Sequence, residues 1–284
     1  MGTEMNAPLY VEGLCKNYPS FQLKEVSFTL EKGKITGFIG RNGAGKTTTI
    51  NSVLSLVKPD AGKVLFSGLS GGEHFREIRE KIGFVSAGMT YYTRKKLRAI
   101  TGITKTFYPG WDDSVYRKHM EAFGLDDEKT PAELSNGMKI KYALALALSH
   151  GADLLILDEP TSGLDPISRE ELVEVFLKLR DMGKTVFFST HITSDLEKCA
   201  DRILFLQNGK LKADEDLDTF RTAWRIAECE GEIPETMKQA ARGACRVRNG
   251  WTVLMPKEAA GGFDTREADL EEIMIHLEKE AEEA

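Results

Sequence analysis

The sequence predicts an α/β protein built on a mostly parallel sheet. Three observations carry that reading. The apolar runs KITGFI (34–39), DLLILDEP (153–160) and KTVFFSTH (184–191) are continuous rather than alternating, as in strands buried on both faces. Helix-patterned segments follow them, and strands alternating with helices imply parallel pairing covered on both sides. Between the first run and its helix lies GRNGAGKT (40–47), a strand–glycine turn–helix junction that aims backbone N–H groups and a helix N-terminus at an anion.

In chain order, LYVEGLC (9–15) and LKEVSFTL (23–30) read as strands of an N-terminal antiparallel β subdomain, with Tyr18-Pro19-Ser20 in the turn between them. KITGFI leads into the glycine loop, and TTTINSVLSLV (47–57) reads as the helix beyond it. KPDAGKVLFSG (58–68) is a turn with a strand, and KIGFVS (81–86) is a further strand. A helical insertion is expected at about 87–145. Its charged part, 93 to about 131, is broken by FYPGWDD (107–113), and its fold-back begins at ELSNGMKIKYALALALSHG (133–151). The strand DLLILDEP, the amphipathic helix ISREELVEVFLKLRDMG (167–183), the strand KTVFFSTH and the helix TSDLEKCA (193–200) restore the α/β pattern. DRILFLQNG (201–209) and KLKAD (210–214) add strands.

Composition shifts near Asp216. IAECEG (226–231), the short helix PETMKQAARG (234–243) and the Asn249-Gly250 hairpin signal between CRVR and WTVLM suggest a small α/β appendage. The expected division is therefore 8–215 and 216–284. In the closing ADLEEIMIHLEKEAEEA (268–284), Leu270, Ile273 and Leu277 fall on one helical face, and the acidic tail reads as a solvated face rather than a recognition surface.

The 284 residues are 41% hydrophobic and 29% charged, ordinary for a globular chain able to bury a sizeable core. A net charge of −6 argues against a general nucleic-acid binder, whose footprint is basic. Cys15, Cys199, Cys229 and Cys245 lack metal-type spacing and read as reduced thiols. With no secretory signal before the first strand and no apolar run of membrane-spanning length, the chain is expected in the cytosol unless another protein holds it at a membrane.

Gly40, Gly45, Lys46 and Thr47 fit G-x-x-x-x-G-K-[ST]. In that motif N–H groups cradle phosphates, the lysine reaches the β- and γ-phosphates, and the hydroxyl binds Mg²⁺. A side chain at either glycine would obstruct the phosphate or forbid the backbone conformation. Asp158 and Glu159 end a buried strand, where ligands collect in parallel sheets. One acid there suits Mg²⁺, and its neighbour suits a general base for attacking water. His191 ends another strand. Ser135 in LSNGM (134–138) is an expected N-cap that opens a second anion site. The loop alone indicates a nucleoside triphosphate, not what its energy is used for.

Taken in order, Tyr18, GRNGAGKT, LSNGM, LLILDEP, SGLD and His191 resemble the ATP-binding subunits of ABC transporters over about residues 8–215. FYPGWDD, ALALALSHGADLLILDEPTSGLDP and FFSTHITSDLEKCADRILFLQNGKL resemble single-domain subunits of Gram-positive-type peptide and drug exporters more closely. The resemblance implies a P-loop NTPase core, ATP and Mg²⁺ as cofactors, and two such subunits, identical or not, paired head to tail around two ATP molecules. It also implies a separate integral membrane subunit that holds the chain at the cytoplasmic face. Tyr18 would stack on adenine. Asn42, Gly43, Ala44, Gly45, Lys46, Thr47 and Thr48 would bind phosphates, with Thr47 and Asp158 on Mg²⁺. Ser135 and Gly137 would reach the partner's ATP, Asp165 would link the two sites, Glu159 would be the base, and His191 would sense the γ-phosphate.

Two departures stand out. The family signature usually reads LSGGQ, not LSNGM. Ala87 also falls where the family has a Gln that binds Mg²⁺ and touches the membrane subunit. SAGMTYYTRKK (86–96) would border the cleft for a short helix of that subunit, with Met89, Tyr91 and Tyr92 as candidate anchors. The alternative is a soluble ABC-type ATPase acting on ribosomes or nucleic acid. Such proteins usually carry two ATPase halves or long coiled coils, whereas this chain has one phosphate loop and no sustained heptads. A GTPase would show N-K-x-D, which is absent.

Overall fold

The computed structural model describes residues 6–86 and 92–283. Strands β1 (Leu9–Tyr18) and β2 (Phe21–Leu30) form a hairpin closed by Pro19-Ser20. They pair over more residues than the apolar runs suggest, because a two-residue turn lets the ladder continue to Tyr18↔Phe21. Then come β3 (Ile35–Ile39), α1 (Lys46–Val53), β4 (Ala61–Phe66), β5 (Leu69–Ser70), α2 (Gly71–Lys81) and β6 (Ile82–Ser86). Helices α3 (Leu97–Thr104), α4 (Asp113–Ala122) and α5 (Asn136–Ser149) follow, before β7 (Leu154–Asp158), α6 (Pro166–Asp181), β8 (Thr185–Thr190), α7 (Thr193–Cys199), β9 (Arg202–Gln207) and β10 (Lys210–Asp216). The chain closes with α8 (Leu217–Thr222), β11 (Trp224–Glu230), α9 (Glu235–Ala240), β12 (Ala244–Val247), β13 (Gly250–Pro256), β14 (Thr265–Glu267) and α10 (Leu270–Glu283).

Among the described residues, three sheets result. The first has order β2-β1-β4-β5 and is antiparallel. The central sheet has order β10-β9-β3-β8-β7-β6 and is parallel except at its β10 edge. Every residue of β3, β7 and β8 is buried, which explains their unbroken apolar character. One face of the central sheet packs on the first sheet. There Phe187 lies 5.5 Å from Phe38 and 5.6 Å from Phe28, ring centre to ring centre.

The third sheet, β12-β13-β11-β14, is antiparallel throughout. β11, α9 and β12 form a split βαβ unit with β13 inserted between the two strands. Its Ile226 and Leu254, together with Leu270, Ile273 and Met274 around α10, join one apolar cluster with Leu196, Cys199 and Phe205 of the central region. Gln207 donates to the Leu277 carbonyl at 2.9 Å, and the Leu270 N–H donates to Glu197 at 3.1 Å. α10 is buried on more than the predicted stripe: His276 and Glu278 are also buried. Glu278 is therefore one acidic residue of this helix that is not solvated.

Truncating Phe187, which joins the first two sheets, leaves a cavity between Phe28 and Phe38. Phe187→Ala should lower unfolding free energy by about 3–5 kcal/mol, and Phe187→Leu by well under half of that. Equilibrium denaturation checks this; equal effects from both substitutions would refute the bridging role.

Candidate functional site

The site forms where β3, β7 and β8 end on one edge of the central sheet. Past Ile39 the chain turns through the glycine loop. Gly43 has φ +86° and Gly45 φ +111°, left-handed conformations open to glycine at little cost. Gly40 differs: a Cβ there would collide with the Leu206 carbonyl of β9, so this glycine lets the loop sit against the neighbouring strand. Beside any obstruction of phosphate, a side chain at Gly40 would therefore be refused by β9. The N-cap of α1 is Gly45, which has no side chain to cap it, so among the described residues the first N–H groups of the helix point toward a ligand position. Asn42 and Gly43 are exposed, Ala44 is buried and Thr48 is half-buried. The Thr49 hydroxyl bonds back to the Gly45 carbonyl at 2.9 Å and so continues the helix.

Lys46 is buried. Its Nζ donates to the carbonyls of Gly40 at 2.7 Å and Arg41 at 3.3 Å, and lies 3.2 Å from Glu159 Oε1. The other Glu159 oxygen, Oε2, is 2.8 Å from His191 Nδ1. Thr47 Oγ1 donates to Asp158 Oδ1 at 3.3 Å. That same Oδ1 accepts from the Ser189 hydroxyl at 2.6 Å, and Ser189 Oγ accepts from the Glu159 N–H at 2.9 Å. Glu159 has φ +51°, a strained conformation for a residue with a Cβ and one that tends to mark functional sites.

The structure thus brings together Lys46, Thr47, Asp158, Glu159 and His191. Among the described residues, no hydrogen bond or ion pair joins Tyr18, Ser135, Gly137 or Asp165 to that group. Ser135 is the exposed N-cap of α5 and accepts from the Met138 N–H at 3.2 Å. Gly137 is buried, facing Ser168 and Leu164. Asp165 caps α6; the Ser168 hydroxyl and the N–H groups of Ser168 and Ile167 hold its carboxyl below the usual range. Tyr18 stands exposed at the end of β1 with Lys16 Nζ 5.6 Å from its ring centre. Ala87, Met89 and Tyr91 lie outside the described residues, whereas Tyr92 is 70% exposed. A cleft of about 780 Å³ runs from Arg41, Asn42 and His191 to Glu271, Ile275 and Glu278 of α10.

The sequence reading passes over Ser189. Its signal is a hydroxyl inside an otherwise apolar buried strand, two residues before His191.

Thr47 Oγ1 and Asp158 Oδ1 converge from different elements, and two hard oxygens of this kind suit Mg²⁺. The open N–H groups of the loop and Lys46 suit a phosphate chain.

A family model described as ABC transporter matches residues 23–162. A bacitracin transport ATP-binding protein, BcrA of Bacillus licheniformis, is 34% identical over 211 residues, covering 73% of this chain and 69% of its own. A methionine import ATP-binding protein, MetN 1 of Listeria innocua, is 30% identical, covering 90% of this chain and 86% of its own. The solved structure of an ATP-binding subunit of an ABC transporter superposes with a TM-score of 0.67 at 29% identity, covering 75% of this chain and 91% of that one.

The two kinds of glycine should respond differently. Gly40→Ala, forced against the Leu206 carbonyl, should lower both melting temperature and ATP affinity. Gly43→Ala has no neighbour within 4 Å, so it should carry only the backbone penalty of its positive φ, roughly 1–2 kcal/mol of stability, and lower melting temperature less than Gly40→Ala. Thermal unfolding and equilibrium nucleotide binding check the contrast; identical losses in both would contradict it.

Proposed function

The chain belongs to the ABC transporter family as an ATP-binding subunit, and from that membership we propose which of its residues bind and hydrolyse ATP, and in what assembly. ATP hydrolysis is the activity of the family, and the membrane path of such a transporter lies in partner subunits. Among the described residues, no helix is long and apolar enough to cross a membrane.

The observation that carries the residue assignment is the convergence of Lys46, Asp158, Glu159 and His191. Lys46 exchanges its Glu159 contact for phosphate oxygens, and the loop N–H groups, with Thr48, hold the remainder. Thr47 and Asp158 hold Mg²⁺, which when bound offsets charge on the β- and γ-phosphates. Glu159 takes a proton from the water whose oxygen bonds to the γ-phosphorus as the bond to ADP breaks. His191, already beside Glu159 Oε2, orients that carboxylate and senses the γ-phosphate. Tyr18, exposed at the rim, stacks on adenine.

Ser135 and Gly137 stand apart from this group within one chain, which supports a second subunit, identical or not, whose ATP they reach. Asp165 at the head of α6 links the two sites. An apolar hollow of about 320 Å³ beside β6, lined in part by Phe75, Phe84 and Tyr108, and separately the exposure of Tyr92, support docking of a membrane subunit at the cytoplasmic face. The likeness to a bacitracin transport subunit supports a peptide or drug-like amphiphile as cargo; outward movement rests on the exporter-like stretches of the sequence, and the similar methionine import subunit points the other way.

Glu159→Gln should keep ATP binding and lower turnover by roughly 10²–10⁴-fold, or about 3–5 kcal/mol of barrier. Steady-state hydrolysis measured beside nucleotide binding tests this. Turnover within threefold of the native chain would remove Glu159 from the role.

Ser135→Arg should leave ATP binding by single subunits within about twofold, since Ser135 touches none of Lys46, Asp158 or Glu159, yet block hydrolysis by preventing closure. Mixed assemblies with Lys46→Ala should retain at most one working site. Loss of ATP binding by the isolated Ser135→Arg subunit would sink the two-subunit geometry.

A further inference from the structure

Strand β8 is apolar and fully buried from Val186 to Phe188 and then carries Ser189, which is 0% exposed. In the parallel register Ser189 lies opposite Asp158 on one side and Phe38 on the other. Its hydroxyl is committed twice across the β7 side, donating to Asp158 Oδ1 at 2.6 Å and accepting from the Glu159 N–H at 2.9 Å.

Those two bonds fall on the last residue of β7 and on the first residue beyond it. Donation to Oδ1 sets the rotation of the Asp158 carboxylate, and that oxygen is the one Thr47 also reaches. Acceptance from the Glu159 amide pins a backbone held at φ +51°. A left-handed residue persists only where its surroundings over-determine it. Here the Ser189 hydroxyl supplies part of that determination from a rigid neighbouring strand. Loss of the hydroxyl removes the orienting donor from Asp158 and leaves the N–H of Glu159 without this acceptor.

We infer that Ser189 is the positioning residue of the hydrolytic site, setting Asp158 toward the metal position and Glu159 toward the attacking water through one shared hydroxyl. The inference rests on the proposed roles of Asp158 and Glu159. Ser189 touches neither nucleotide nor metal in this scheme; it acts through the two acids. Phosphate binding belongs to Lys46 and the loop, so Ser189 should govern metal-dependent properties and leave metal-free nucleotide affinity alone. A hydroxyl that merely satisfied the core would change stability without that division.

The test compares Ser189→Ala, Ser189→Cys and Ser189→Thr in the full-length chain. ATP affinity in EDTA should stay within about twofold of the native value for all three. In Ser189→Ala, the Mn²⁺ concentration that half-saturates the complex with a non-hydrolysable ATP analogue, read by electron paramagnetic resonance, should rise at least tenfold. Its kcat should fall at least tenfold with little change in KM. Ser189→Thr, which keeps the hydroxyl, should recover most of both. Ser189→Cys, close in volume with a weak donor, should fall between, which separates positioning from cavity effects. Unchanged Mn²⁺ affinity and kcat in a folded Ser189→Ala would overturn the inference. So would equal loss in Ser189→Thr with both variants folded, or equal weakening with and without metal. Lys46→Ala and Glu159→Gln run alongside: if they lose ATP binding and turnover respectively while Ser189→Ala behaves as native, the proposed function stands and only the positioning role falls.

Discussion

The parallel alignment of β3, β8 and β7 is the constraint on which the site depends. Phe38 pairs with Ser189, Ile39 with Thr190, and Asp158 with Ser189, so three strands end within one residue of each other. Parallel strands share one direction, and whatever follows each of them emerges on the same edge. The glycine loop, Glu159 and His191 are more than a hundred residues apart in sequence at their extremes, yet the register makes them neighbours. The buried apolar residues of these strands hold the register. A one-residue slip would turn Asp158 and Ser189 away from each other.

Much of this was legible in the chain because the signals were local. A glycine loop between strand and helix, a strand that ends in two acids, and a serine ahead of a helix each carry their meaning within a few residues. What stayed hidden was relational. Gly40 looks like any loop glycine until the Leu206 carbonyl of β9 is seen against it. Ser189 looks like a minor exception in an apolar strand until the register sets it opposite Asp158. Glu159 gives no sign in sequence of its left-handed backbone, whose N–H is held by a hydroxyl on a different strand, β8. The same holds for the end of the chain. The helical face of Leu270 and Ile273 was readable, but the burial of His276 against Thr252, at 3.0 Å, needed the third sheet to be in place.

The third sheet is physically continuous with the site. α10 packs on α7, the helix that begins two residues after His191, and shares apolar contacts with Leu196 and Cys199. Its outer face forms the far wall of the cleft that starts at Arg41 and Asn42. The His191 imidazole is itself exposed, but a shift of the backbone that leads into α7 is passed on to α10, because close-packed interiors transmit displacement instead of absorbing it.

Lys46 carries a further consequence, because its ammonium already faces Glu159 and two loop carbonyls. On the proposed reading, the loop behaves as an ion exchanger: an internal carboxylate yields its place to an external phosphate. The free energy of capture is then a difference between two contacts and not the full strength of the second. Measured affinity for nucleotide understates how firmly the loop grips, and the released carboxylate keeps its contact with the histidine beside it.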